Sequence, residues 1–386
     1  MIANQEVALT SEVPGTTTDV VEKHMELLPV GPVTFLDTGG IDDQTNLAQG
    51  RLSRTNKAIE SCDIAVLITD SNIWTQYEQS LIKSFDQHNK PFIIVVNKID
   101  LGEPDLKFLR SLKNHTNNIL FISATEKRKQ NQYIESFKGI LLKNLPSEHG
   151  SEKQLLGDLL PKYGVCVMIV PIDKEAPKGR IILPQVQAIR NTLDNEAISV
   201  VVKDTGYRQA LDRLKEEPNL VICDSQVVDK MVAETPVSVP CTTFSILFAR
   251  FKGDLNEEVR GLKALNYLKK DDKVLIAEAC SHHPNEDDIG RVKIPKWLMS
   301  YLGFMPKITV SSGRDYPEDI NKYKMIIHCG GCMLTRNEKQ VRIEKAKIAG
   351  VAITNYGIII SHLHGVLKRV LSPFPTASEI YRNIME

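Results

Sequence analysis

This chain of 386 residues is short of several things, and each shortage removes a class of protein. It has no surplus of charge: 48 Lys and Arg stand against 48 Asp and Glu, for a formal net charge of zero. With 6% aromatic residues and no basic patch interleaved with them, nothing argues for nucleic acid or an anionic membrane as a partner. No apolar run approaches the roughly 18 residues that a membrane helix needs. The polar amino terminus has no apolar core of the length a secretory signal requires, so the chain reads as cytoplasmic and reduced. Cys-x-x-x-Cys-x-x-Cys is absent, which removes radical-SAM chemistry. Gly-x-x-x-x-Gly-Lys followed by Ser or Thr is absent too, and with it the loop that cradles β- and γ-phosphates.

What is present in the last third is a soft-metal pattern. Cys280-Ser281-His282 is followed by His328-Cys329-Gly330-Gly331-Cys332, with 45 residues between His282 and His328. A Cys-x-x-Cys turns two thiolates toward one point, and paired glycines let the backbone fold tightly around it. Thiolates select zinc or iron-sulfur centres over hard cations. Three cysteines and a histidine close a tetrahedral zinc site, whereas three cysteines on a four-iron cluster leave one iron open. Composition leaves that choice open, and it leaves His282 and His328 either as ligands or as groups that orient a ligand. Each half follows an apolar run, Lys273 to Ala279 and Lys324 to Ile327, that reads as a buried strand. Both halves are therefore expected at the carboxyl ends of strands, where open α/β sheets bind ligands.

The first 150 residues carry a second signature, that of a GTP-binding domain. Thr16 and Thr17, in Pro14-Gly15-Thr16-Thr17-Thr18-Asp19, offer a hydroxyl to magnesium. Asp37-Thr38-Gly39-Gly40 ends an apolar strand, placing Asp37 toward magnesium and the Gly40 amide toward a γ-phosphate. Asn97-Lys98-Ile99-Asp100 ends another strand, and the Asp100 carboxylate suits the N1 and N2 protons of guanine. Ser123 and Ala124 supply the short turn behind the base. Each match is weak alone, but all occur in order at strand ends. Met1 to Ala8 looks like the tail of the helix that follows a phosphate loop, so the domain is expected without its first strand and that loop.

The two signatures together resemble the HydF family, the GTPases that mature [FeFe]-hydrogenase. The resemblance spans essentially the whole chain and implies three consecutive α/β domains with mainly parallel sheets. These are a GTPase of the translation-factor class at 1–149, a dimerisation domain at 150–243 and an iron-sulfur domain at 244–386. It implies a [4Fe-4S] cluster on Cys280, Cys329 and Cys332, with GTP and magnesium on the first domain. The implied role is that of a scaffold with no catalytic residue of its own. It would form a homodimer, receive a di-iron fragment bearing carbon monoxide and cyanide from radical-SAM maturases, and pass it to apo-hydrogenase. The missing phosphate loop departs from the family pattern. The reading from a different class is a regulatory or ribosome-associated GTPase with structural zinc.

The remaining expectations are structural. A linker is expected near Leu145 to Ser151 and a second boundary near Val239 to Cys241. Helices are expected over 183–193 and 207–217, and strands over 163–170, 197–202 and 220–223. Cys62, Cys166, Cys223 and Cys241 read as core thiols. Asp287 and Asp288 read as an exposed acidic turn. Arg291, Arg336 and Lys339 read as solvated charges, and Ile358 to Leu371 as one amphipathic packing helix around His362 and His364.

Overall fold

The computed structural model describes residues 21–38, 48–145, 154–172, 179, 181–279, 288–313 and 316–386. The chain forms two compact units, Met1–Glu152 and Lys153–Glu386.

In the first unit, β1 (Val21–Leu27) and β2 (Gly31–Asp37) form an antiparallel hairpin. Then β3 (Ala65–Asp70), β4 (Phe92–Asn97) and β5 (Ile119–Phe121) form a parallel sheet in the order β3-β4-β5. The unbroken apolar run of β4 is explained by burial on both faces. Ile94 and Val96 pack with Ile82, Phe85, Phe108 and Leu112. Ile93 and Val95 pack with Leu27 of the hairpin and with Tyr133, Phe137 and Leu141. The helix Gln76–Gln87 begins with a reciprocal cap between Thr75 and Glu78, and Leu106–Lys113 begins on the Asp105 carboxylate.

The second unit holds two four-stranded sheets, both wholly parallel. β6 (Val165–Ile169), β7 (Ile198–Val202), β8 (Leu220–Cys223) and β9 (Cys241–Thr243) lie in the order β7-β6-β8-β9. β10 (Lys273–Ala277), β11 (Lys307–Ser311), β12 (Met325–His328) and β13 (Ala352–Asn355) repeat that topology as β11-β10-β12-β13. The α/β class with mainly parallel sheets is thus as expected. The expected boundary near 243 falls between β9 and the helix Phe244–Lys252. One continuous core joins Met168 and Ile222 of the first sheet, Leu247 and Phe248 of that helix, and Ile276 and Ile327 of the second sheet.

Three local expectations are corrected. Ile358 to Leu371 is two helices, Tyr356–Leu363 and Leu367–Val370, parted at Gly365 with φ +74°. The first is not amphipathic: Gly357 to His362 are all buried, because it lies inside the shared core. Asp288 is buried, its carboxylate accepting from the Arg291 amide at 2.8 Å. The helix from Tyr207 stops at Arg213.

Candidate metal centre and nucleotide site

β10 and β12 are parallel neighbours with Ala277 opposite His328, so the residues that follow both strands leave the same sheet edge. The Cys329 amide donates to the Ala277 carbonyl at 2.9 Å. The Ala279 amide donates to the Cys329 sulfur at 3.0 Å. Gly331 has φ +69°, the left-handed conformation that reverses the chain between the two thiols. The Leu334 amide returns to the Gly331 carbonyl at 3.1 Å and closes the turn. Thr335 and Glu338 then cap each other at the start of the helix Arg336–Ile348.

That helix turns Lys339, Arg342, Ile343 and Ala346 inward at spacings of three and four. Lys339 is not a solvated charge. It is fully buried in an ion pair with the equally buried Glu258 at 2.8 Å, outside hydrogen-bond alignment. Burial raises the Glu258 carboxyl, and Lys339 opposes that rise. Arg342 donates to the Gly313 carbonyl at 2.8 Å and lies over the Tyr316 ring at 4.8 Å. Its other terminal nitrogen is 3.1 Å from His328 Nε2. A guanidinium only donates, so Nε2 accepts, and the proton sits on Nδ1, 2.8 Å from the Cys329 carbonyl. Burial, Lys339 and Arg342 hold His328 well below its ordinary pKa, which fits the neutral ring.

Lys252 ends the helix Phe244–Lys252 and reaches the same loop from the other side. Its ammonium donates to the carbonyls of Leu334 at 2.7 Å, Cys332 at 2.9 Å and Gly331 at 3.5 Å. No motif marks this residue in the sequence; the one signal is a lysine at the end of a mostly apolar helical run. Arg291 is not turned to solvent either, because it pairs with the buried Glu278 at 3.0 Å, and Ser312 bonds both.

The thiols separate into two kinds. Burial raises Cys329, but the amides of Gly331 and Ala279 and the charges of Lys339 and Arg342 all pull it back. Cys332 is raised by burial and by Cys329, and the Lys252 charge opposes this. Cys166 is raised by burial with no opposing group, and Cys223 by burial reinforced by nearby acids. Cys241 is pushed to about 11 with only Arg369 opposing, and Cys62, half-buried, also to about 11. Cys329 accepts a backbone amide from the neighbouring strand end, the polarity that a thiolate-bound metal needs. Two thiols on one glycine-reversed turn, one of them accepting the Ala279 amide, fit a soft metal. Cys280 and His282 lie outside the described residues. Among the described residues no three His, Cys, Asp or Glu side chains form a metal cluster.

At the carboxyl edge of the first unit's sheet, two of the nucleotide motifs meet. Asn97 ends β4 and its Oδ1 accepts from the Ala124 amide at 3.1 Å, while the Ile99 amide donates to the Ile122 carbonyl at 3.3 Å. This ties the Asn97–Asp100 segment to the Ser123–Ala124 turn, whose Ser123 hydroxyl is 2.9 Å from that of Thr125. Asp100 is exposed. Lys98, at φ +56°, pairs with Asp70 at the end of β3 at 2.8 Å. Asp70 is a member of this edge that the motifs did not reveal. Asp37 ends β2, its carboxyl raised by partial desolvation. Thr16, Thr17 and Gly40 lie outside the described residues.

These features define a GTPase-like unit followed by parallel α/β sheets with a thiol site at one sheet edge. Residues 155–253 match the family model of the hydrogen maturase F dimerization domain, 256–373 that of its tetramerization domain, and 1–98 that of a 50S ribosome-binding GTPase. The chain belongs to the hydrogen maturase F family. It is 38% identical over 102 residues to the tRNA modification GTPase MnmE of Prochlorococcus marinus, covering 26% of this chain and 22% of that protein. It is 28% identical over 151 residues to GTPase Der of Clostridium acetobutylicum, covering 36% and 34%. The chain thus spans well under half the length of these curated relatives. A structure of Era in complex with MgGDPNP and a segment of 16S ribosomal RNA aligns at 19% identity and TM-score 0.32, over 54% of this chain and 89% of that one. No helix among the described residues is long and apolar enough to cross a membrane.

Proposed function

We propose that this protein is a scaffold in the maturation of [FeFe]-hydrogenase. Cys280, Cys329 and Cys332 would hold a [4Fe-4S] cluster, and the substrate would be a di-iron fragment bearing carbon monoxide and cyanide. That fragment would come from radical-SAM maturases and leave for apo-hydrogenase, in the cytoplasm. The observation that carries this reading is the Cys329–Cys332 turn, with the Ala279 amide on the Cys329 sulfur, in a chain of this family.

The cluster, when bound, supplies an iron with an exchangeable position, since three thiolates leave one iron without a cysteine. This chain's residues do the rest. The thiols hold, the amides of Ala279 and Gly331 offset charge on Cys329, and the buried cations beneath favour an anionic load. In the first unit, Asp37, Asn97, Lys98, Asp100, Ser123 and Ala124, with Thr16, Thr17 and Gly40, would hold GTP and magnesium. That nucleotide would switch partner release. The partition we propose is 1–149, 150–243 and 244–386, with the second segment forming a homodimer and the third adding a further self-contact.

The test is a transfer experiment. Protein loaded by the maturases and repurified should activate apo-hydrogenase with no further iron or maturase, and Cys329→Ser should not. Loaded wild type that leaves apo-hydrogenase inactive would refute the scaffold role.

A further inference from the structure

The loop between Cys329 and Leu334 is held by side chains that the thiols alone do not require. Lys252 ends the helix Phe244–Lys252, and its ammonium takes three carbonyls of this loop, about 80 positions further along the chain. A lysine ammonium has three donors, and burying it without partners would cost several kcal/mol, so these contacts fix both the lysine and the loop. A trans peptide points its C=O and N–H in opposite directions. With the carbonyls of Gly331 and Cys332 drawn to Lys252, the amides of Cys332 and Met333 face away from it.

On the other side, Arg342 donates to His328 Nε2, and His328 Nδ1–H holds the Cys329 carbonyl. Both ring nitrogens are thereby used by the protein. His328 is fully buried, and its ring packs 3.9 Å from where a side chain on Gly331 would begin.

We propose that Lys252 and the Arg342–His328 pair are positioning residues of the metal centre. They fix the cysteine loop by its carbonyls, and His328 serves in that hold instead of as a ligand. The inference rests on reading the site as a thiolate metal centre, and it goes beyond the ligand set itself.

The experiment uses the full chain under anaerobic conditions with two readouts. One is cobalt(II) titration of metal-free protein, followed by the thiolate-to-cobalt charge-transfer band. The other is the midpoint potential of the reconstituted protein, followed by EPR. Lys252→Met keeps the apolar stem and loses the donors. It should weaken cobalt binding by roughly 10- to 100-fold and move the potential to more negative values, because a cation near the cluster favours the reduced form. Lys252→Arg should recover part of both. His328→Gln should keep the charge-transfer band and the EPR line shape of the wild type.

Lys252→Met with unchanged affinity and potential would overturn the positioning role. Loss of a ligand signature in His328→Gln would restore the histidine to the ligand set and overturn that half. If Lys252→Met does not fold by circular dichroism, Lys252→Arg and Arg342→Lys carry the test, and wild-type values for both refute it. Wild type that binds cobalt but builds no iron-sulfur cluster would sink the scaffold reading and leave positioning to be decided by the cobalt data. Wild type that binds neither would sink both.

Discussion

The backbone amide of Ala279 lies 3.0 Å from the sulfur of Cys329, a hydrogen bond across 50 positions of sequence. It exists because β10 and β12 are parallel neighbours in register, Ala277 beside His328. The residue before Cys280 is thus bonded to the thiol of the second motif. Sheet pairing thus brings the residue preceding the first motif to the thiol of the second, before any metal is considered.

Gly331→Ala should destabilise this turn. At φ +69° a side chain costs about 1–2 kcal/mol, while the nearest atom to a new Cβ is Lys339 Cδ at 3.6 Å, an ordinary contact. The expected outcome is a modest drop in urea midpoint with a larger fractional loss of bound metal. An unchanged metal content would show that the left-handed turn is dispensable.

The buried pair of Glu258 and Lys339 should behave asymmetrically. Lys339→Met strands a carboxylate whose pKa burial already raises, and should cost about 3–5 kcal/mol. Adding Glu258→Leu to it should recover much of that loss. Chemical denaturation of the two single variants and the double variant gives the coupling, and strict additivity would contradict the pairing.

His362 sits between Tyr381 at 2.9 Å and Tyr301 at 3.2 Å, and burial lowers its pKa from the ordinary 6.5. The unfolded chain therefore takes up the proton first. The stability tied to this neutral ring is complete above pH 6.5 and is lost as pH falls through the folded pKa. His362→Gln should flatten the fall in stability below pH 6.5 without abolishing it, because His328 is displaced in the same direction. A pH profile steeper than wild type would be inconsistent with that sign.

Asp37 and the thiols lie in different compact units. Asp37→Ala should lower nucleotide affinity and leave the metal content at the wild-type level, measured on one preparation. Loss of metal in that variant would mean that the two units do not act separately.

Much of this was legible in the sequence because it is written in strand ends. Apolar runs before Cys280, His328 and Asn97 mark buried parallel strands, whose ends lie at shared sheet edges by topology. The left-handed turn could be read from paired glycines. What could not be read was tertiary. Lys252, Lys339 and Asp288 carry charge and sit on helices or at a helix start, so composition assigns them to water, whereas carbonyls, Glu258 and a backbone amide hold them inside. The helix Tyr356–Leu363 was misjudged for the opposite reason. Its polar Ser361 and His362 imply an outer face, but the core shared by two sheets surrounds them.

The most direct test of the central claim is iron, zinc and sulfide content, with EPR, on anaerobically purified, reconstituted and reduced protein. The account predicts about four irons and four sulfides per chain and a reduced-cluster signal that disappears in Cys329→Ser. One zinc per chain with no sulfide would contradict it and make this a GTPase with a structural metal site.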